Sequence, residues 1–393
     1  MPKKVEEFLD RFGDVIFFSI ILILGTMIRF AMFSAPNGDL DCHFVPWYDF
    51  IVGNGRFAAL RHDFAVYNVP YLYLLTLATY LPVAKYTAIK LISVAFDFLA
   101  AWAAYKIIGL KYNSQIFKYM AFLAVFLAPT VLVNSSYWGQ CDIMYTAFVL
   151  WTLYFALKKD GIRSMLSFGL AFSFKLQALF LAPLVGILII KKLVKLRHLI
   201  YVPVIFIILL LPAVALGRDP VSLLSIYIKQ PVIEAASGIL TSNCVNFYQL
   251  FSTNAYHEIS NTGKLIALIA SVGIVFYAFK IRKSLDAVAI LKLGVFNALI
   301  TVYFLPNMHE RYFFMADVMS IILAFYAPRL YYMPVVIGFS SLFSYLVFLR
   351  GEPIVDFRIL AIAMGVIIVM LAREIMKDYK MADSETGGLA VSS

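Results

Sequence analysis

The stretch "NGDLDCHFVPWYDFIVGNGRF", residues 37–57, sets Asp39, Asp41 and Asp49 among aromatics and glycines directly after an apolar run. A carboxylate beside a membrane span is costly to desolvate. Where water is scarce it can take the proton of a hydroxyl, which is general-base chemistry. Two simpler readings compete: Trp47, Tyr48, Phe50 and Phe57 suit a helix at headgroup depth, and Asp39 suits a plain helix N-cap. Anchoring explains the rings but does not require Asp39 and Asp41 so near the span.

Cationic candidates lie far along the chain. "FSFKLQALF" places Lys175 and Gln177 inside apolar sequence, where a lysine either snorkels or meets an anion such as phosphate. In "FLPNMHERYFF", residues 304–314, His309, Glu310 and Arg311 follow Pro306. They form either a solvated loop or a bidentate phosphate contact with His309 as second donor, and Glu310 could instead neutralise Arg311. "NSSYWGQCD", residues 134–142, offers Trp138, Gln140 and Asp142; amide plus aromatic is how sugars are held, and the same residues suit an N-capped helix under an aromatic belt. "NSS" also fits a glycosylation acceptor sequon, relevant only in a secretory pathway. "YNVPYLYLL", residues 67–75, adds Tyr71 in an X-Pro turn and by itself reads as interfacial. One histidine with scattered carboxylates does not support a divalent metal, so no metal or other cofactor is assigned.

The elements that must position these residues are transmembrane. Of 393 residues, 62% are hydrophobic and 14% charged, against about 25% charged in a soluble domain, so the chain reads as a polytopic membrane protein. Twelve apolar segments are expected to span, at 14–33, 86–107, 117–133, 141–157, 163–174, 177–190, 198–216, 264–281, 286–304, 312–327, 330–348 and 355–374. Basic clusters such as Lys158, Lys159 and Arg163, "KKLVKLRH" and "KIRKSLD" fall on one side if both termini are cytoplasmic. The segments 34–85, 134–140, 217–263 and 305–311 then share the outer side, with Lys175 at the outer end of a helix. A single tilted helix over 163–190 would instead invert every later loop. The mid-span charges Lys90, Asp97, Lys292 and Asp317 read as interior pairs between helices, whereas a transporter would concentrate its ionisable groups at that depth. The first apolar run lacks a small-residue cleavage site and reads as retained, residues 1–380 read as one membrane domain, and 381–393 as a disordered cytoplasmic tail. Cys42, Cys141 and Cys244 match no metal or disulfide framework, and the net charge of +10 is accounted for by loop placement without nucleic acid.

In order along the chain, Gly38-Asp39, "PWYDFI", "YNVPYLYLL", "YWGQCD", "FKLQ" and "MHERY" together resemble bacterial membrane proteins related to the GPI mannosyltransferase II group. More distantly they resemble the dolichyl-phosphate-glucose glucosyltransferases, whose "GDYEAQRHW" and "HEK" segments match the frames of "GDLDCHFVPW" and "HER". Both are GT-C glycosyltransferases, and the resemblance runs from about residue 30 to 315. It implies an all-α GT-C fold with interfacial helices in the first outer loop, and an inverting hexose transfer from a polyprenyl-phosphate-linked donor. The acceptor would be an extracytoplasmic lipid or cell-surface glycan, and the location a bacterial plasma membrane. Carried over by motif, Asp39 would be the general base, and Arg311, His309 and Lys175 would bind the donor phosphate. Asp41, Trp47, Tyr71, Trp138, Gln140, Asp142, Gln177 and Glu310 would line the sugar and acceptor pocket. The chain departs from the pattern at Val69, where relatives tend to have a second proline, at Arg311, where the eukaryotic motif has lysine, and at Arg56, where glycine is expected. Independently, the sequence has no Gly-rich phosphate loop after a strand and no soluble α/β segment, as suits a lipid-linked donor. A transporter or flippase of lipid-linked sugars is the alternative, and a non-catalytic subunit that presents substrate is a third reading.

Overall fold

Apolar sequence with few charges leaves the backbone no partner but itself, so helix dominates. The computed structural model describes residues 3–251, 256–280 and 285–387. The helices are α1 (Lys3–Met32), α2 (Val45–Gly53), α3 (Val69–Ala78), α4 (Lys85–Ile108), α5 (Gln115–Phe126) and α6 (Pro129–Val131), which runs on into wide π-helical turns over Leu132–Trp138. Next come α7 (Asp142–Leu157), α8 (Gly161–Phe174), a 3-10 segment (Leu176–Leu181), α9 (Ala182–Ile190), α10 (Tyr201–Ala215) and α11 (Pro220–Ala236). The series ends with α12 (Tyr256–Lys280), α13 (Ala287–Phe304), α14 (Phe314–Tyr326), α15 (Tyr332–Arg350) and α16 (Phe357–Gly387).

Each of the twelve expected segments is helical. Seven helices are long and apolar enough to cross a bilayer, and α5 with the α6 region, bent by 44° at a short break, would make an eighth. Others, among them α7, α8 and α14, are shorter than the roughly 20 residues a 30 Å core needs. Their ends explain this. α7 begins at Asp142, α8 stops just before Lys175 and α14 starts just after Arg311 and Tyr312, and all of these ends meet around one polar hollow. The rim and the interior divide by sequence. α1 and α10 bury only 11% of their apolar windows and turn residues such as Ile23 and Ile207 outward, whereas α13 buries 72%. In α4 the buried Ala100, Ala101, Ala103 and Ala104 let neighbouring helices approach closely, the usual device where lipid supplies no hydrophobic drive.

The segment 163–190 is two antiparallel helical arms that meet at Lys175. The α7–α8 turn touches the α9–α10 turn, because a Cβ on Gly161 would stand 3.3 Å from Val194 Cα. Lys175, at the far end of α8, reaches the start of α7. The chain therefore runs out along α8 and returns along α9, and a single tilted helix is ruled out.

The mid-span charges are paired only in part. Asp97 meets Arg29 at 3.0 Å and Lys292 meets Asp378 at 2.6 Å. Lys90 has no carboxylate partner among the described residues. It donates at 3.1 and 2.8 Å to the carbonyls of Met32 and Ala35, satisfying backbone acceptors that the end of α1 leaves open. Asp317 is held by hydroxyls, Ser341 at 2.7 Å and Tyr345 at 3.4 Å. Helix α16 continues through 381–387, where a disordered tail is expected, because a long helix propagates at low cost once nucleated. Residues 388–393, and Arg282 and Lys283 of the basic clusters, lie outside the described residues.

Candidate functional site

The polar hollow is a cavity of about 880 Å³. Its wall draws on all four segments expected on the outer side: Asp39 and Trp47 from the first, Gln140 from the second, Asn243 from the third, and His309, Glu310 and Arg311 from the fourth. Lys175 and Gln177 complete it. Residues from distant sequence positions therefore converge on one end of the helices.

Asp39 is positioned by a loop that the following turns pull taut. Asn37 accepts from Leu40 N at 3.1 Å and donates to the Tyr137 and Trp138 carbonyls at 3.3 and 3.1 Å. The chain then winds into a π-helical turn over Leu40–Phe44, a widened geometry often found at functional sites because it re-aims side chains. Asp39 makes no capping bond. Its Oδ2 accepts from Trp138 Nε1 at 3.0 Å and from Gln140 Nε2 at 2.5 Å, while the residue stays half-buried on the cavity wall. The N-cap reading is thereby excluded. Between these two donors Gly139 takes φ +78°, and a Cβ there would fall 3.0 Å from Leu40 Cδ2, so only glycine lets the chain turn so close to the Asp39 loop.

The cations gather on the other side of that turn. Asp142 is fully buried, and its Oδ1 accepts from Lys175 Nζ. Its Oδ2 accepts from Asn134 Nδ2 at 3.1 Å and lies 3.5 Å from Arg311 Nε. Arg311 Nη1 donates to Glu310 Oε1 at 2.7 Å, so Glu310 does neutralise part of the guanidinium. Burial pulls the Arg311 pKa down, but the Glu310 and Asp142 carboxylates outweigh it and hold the group well above its ordinary value. Its Nη2 makes no hydrogen bond among the described residues, and the residue lines the cavity. Lys175 is buried and does not snorkel; its ammonium stands about 6 Å from the rings of Tyr67, Tyr145 and Tyr312, a cation in an aromatic surround.

Backbone pairing fixes the His309 loop. β2 (Met308–His309) lies parallel to β1 (Thr241–Ser242), and Asn307, at φ +61°, donates its N–H to the Leu240 carbonyl at 2.8 Å. The 217–263 segment therefore holds the loop that carries His309 and Arg311.

Four expected wall residues are placed elsewhere. Asp142 is the buried counter-ion just described, and Trp138 lies behind Asp39, stacked on Phe348 at 4.9 Å. Tyr71 is buried against Phe44 and Tyr67, and Tyr67 of the same motif takes the wall instead, because helix α3 starts between them and turns the two side chains differently. Asp41 is exposed and accepts from the Tyr86 hydroxyl. Trp47, Gln140, Gln177 and Glu310 do line the cavity. Arg56, where glycine is expected, adopts the left-handed φ of +57° that favours glycine, with its guanidinium 4.5 Å from the Tyr80 ring. Sequence reasoning also missed Asn37, Asn68, Lys229 and Lys264. Asn68, buried on the wall, donates to the Ser173 carbonyl at 2.9 Å just before Lys175. Among the described residues no three His, Cys, Asp or Glu side chains are grouped so as to hold a metal ion.

No known protein-family model matches the chain, and no curated protein sequence does.

Proposed function

We propose that this is an inverting glycosyltransferase of GT-C type, with twelve crossings, that moves a hexose from a polyprenyl-phosphate-linked donor to an extracytoplasmic lipid or glycan acceptor. One observation carries the reading: a carboxylate with a free face, Asp39, shares a recessed cavity with His309 and with the cations Lys175 and Arg311. In the reaction Asp39 takes the proton of the acceptor hydroxyl. The hydroxyl oxygen bonds to the anomeric carbon, the bond from that carbon to the phosphate oxygen breaks, and polyprenyl phosphate leaves with the electron pair and one additional negative charge. Arg311 Nη2 and the Lys175 ammonium, already fixed by their carboxylates, are oriented before the reaction and need no reorganisation as that charge develops. Trp138 and Gln140 are positioning residues that hold the Asp39 carboxylate without protonating it at its working oxygen. The mid-depth charges are committed to ion pairs, to backbone carbonyls and, for Asp317, to hydroxyls, which argues against transport.

The test is to incubate purified protein with glucose, mannose and galactose polyprenyl phosphates and a range of acceptor lipids, and to measure free polyprenyl phosphate. Release is expected with at least one donor and is lost in Asp39→Asn. Silence across all donors, or unchanged release in a folded Asp39→Asn protein, overturns the reading.

A further inference from the structure

The four buried charges near Asp39 cancel: Lys175 and Arg311 are balanced by Asp142 and Glu310. Net positive charge on the cavity wall must come from elsewhere. Lys229 on α11 and Lys264 on α12 both line the cavity, both are exposed, and neither has an ion-pair partner among the described residues.

The helices that carry these lysines present exposed apolar faces. On α11, Val221, Leu224, Ile228 and Val232 recur at helical spacing and are 51 to 72% exposed, while Ser222, Tyr227 and Gln230 on the opposite face fasten the helix to the body. On α12, Leu265, Leu268 and Val272 are exposed likewise. Gly263 brings the start of α12 against the end of α13, since a Cβ there would lie 2.5 Å from the Phe304 carbonyl oxygen. That close approach sets Lys264 beside the loop that begins at Leu305. This side of the cavity therefore joins the exposed apolar faces of two helices to two ammonium groups without an ion-pair partner among the described residues, which matches a molecule with a long apolar tail and a phosphate head.

We propose that the side of the cavity bounded by α11 and α12 is a lateral portal, where Lys229 and Lys264 receive the phosphate of a polyprenyl phosphate travelling between the bilayer and Arg311. The inference rests on the transferase reading for the identity of the lipid. The charge count supports it. With the inner four charges cancelled and the wall carboxylate Asp63 paired with Arg218, Asp39 and a singly charged donor phosphodiester together balance the two lysines. The departing phosphate monoester carries one charge more than the donor and is drawn back to the same lysines on its way out.

The test is direct binding of polyprenyl monophosphate to the full chain in detergent, followed by tryptophan fluorescence, with Trp47 on the cavity wall as reporter. The double variant Lys229→Gln, Lys264→Gln alters two exposed side chains and should fold normally. Its affinity is expected to fall about tenfold, the scale of two exposed ion contacts, while binding of the neutral polyprenol stays as in the parent. In the transfer assay the same variant should raise the donor KM and leave kcat unchanged. An unchanged affinity for the monophosphate overturns the portal, and so does displacement by phosphatidylglycerol or inorganic phosphate at equal concentration. Binding is read without turnover, so a failure of the transferase reading leaves this result interpretable. Loss of the portal with intact transfer is equally distinct.

Discussion

The molecule contains two buried ionic clusters that look alike by composition and differ in what surrounds them. Arg29 and Asp97 sit inside the helix bundle, closed in by Ser135, Ser136 and the Phe126 ring, and neither lines the cavity. Lys175, Asp142, Arg311 and Glu310 are as well paired, but Lys175, Glu310 and Arg311 line the cavity. A sealed ion pair recovers part of its desolvation cost and fixes helix register. An open one holds charge in place for something that arrives later. Burial alone therefore does not separate structure from function; access from a cavity does.

Substitutions can break that contrast. The largest effect is expected at the open site: Asp39→Asn should lower turnover by about 10²- to 10⁴-fold, the usual contribution of a general base, with an unchanged melting curve. Comparable activity would show that the carboxylate beside the open cluster is idle. Arg311→Lys keeps a charge but gives up the planar fork, and a loss of about 10²-fold in kcat is expected from one removed transition-state donor; a change confined to KM would move Arg311 out of the reacting region. Arg29→Met reverses the pattern. Leaving Asp97 uncompensated should cost about 3–5 kcal/mol of stability, read as a lowered Tm in detergent, and the double change Arg29→Met, Asp97→Leu should recover much of it with transfer intact. The smallest effect is expected at Asp41→Asn, less than about twofold in rate, because a surface substitution away from the cavity is near neutral; a larger loss would bring Asp41 back into the site.

Much of this was legible in the sequence, and for a physical reason. Charge inside apolar sequence is expensive, so Asp39, Lys175 and Arg311 are conspicuous, and the helical segments follow from hydropathy. What could not be read was partnership. Asp142 looks like a wall residue until Lys175, 33 positions later, is seen on its carboxylate. Tyr67 and Tyr71 lie in one motif, and only the start of α3 decides which meets the cavity. Lys229 and Lys264 resemble any lysine at the margin of an apolar helix, since nothing local records whether an anionic neighbour is present. The short apolar runs of α7, α8 and α14 were legible, but their cause was not: these helices stop at the hollow, so their termini follow the site.

The short turn from Asn134 to Asp142 holds Asp39 by its middle, through Trp138 and Gln140, and both inner cations by its end, through Asp142. The proposed proton acceptor and the proposed phosphate anchor are thus spaced by a single ruler nine residues long. A descendant of this chain could change its sugar by redrawing the surrounding wall, at Trp47, Tyr67 or Gln177, while any insertion in the ruler would separate the two halves of the chemistry at once. If the proposed reaction holds, innovation is channelled to the periphery of the hollow, and the turn itself is the part least free to drift.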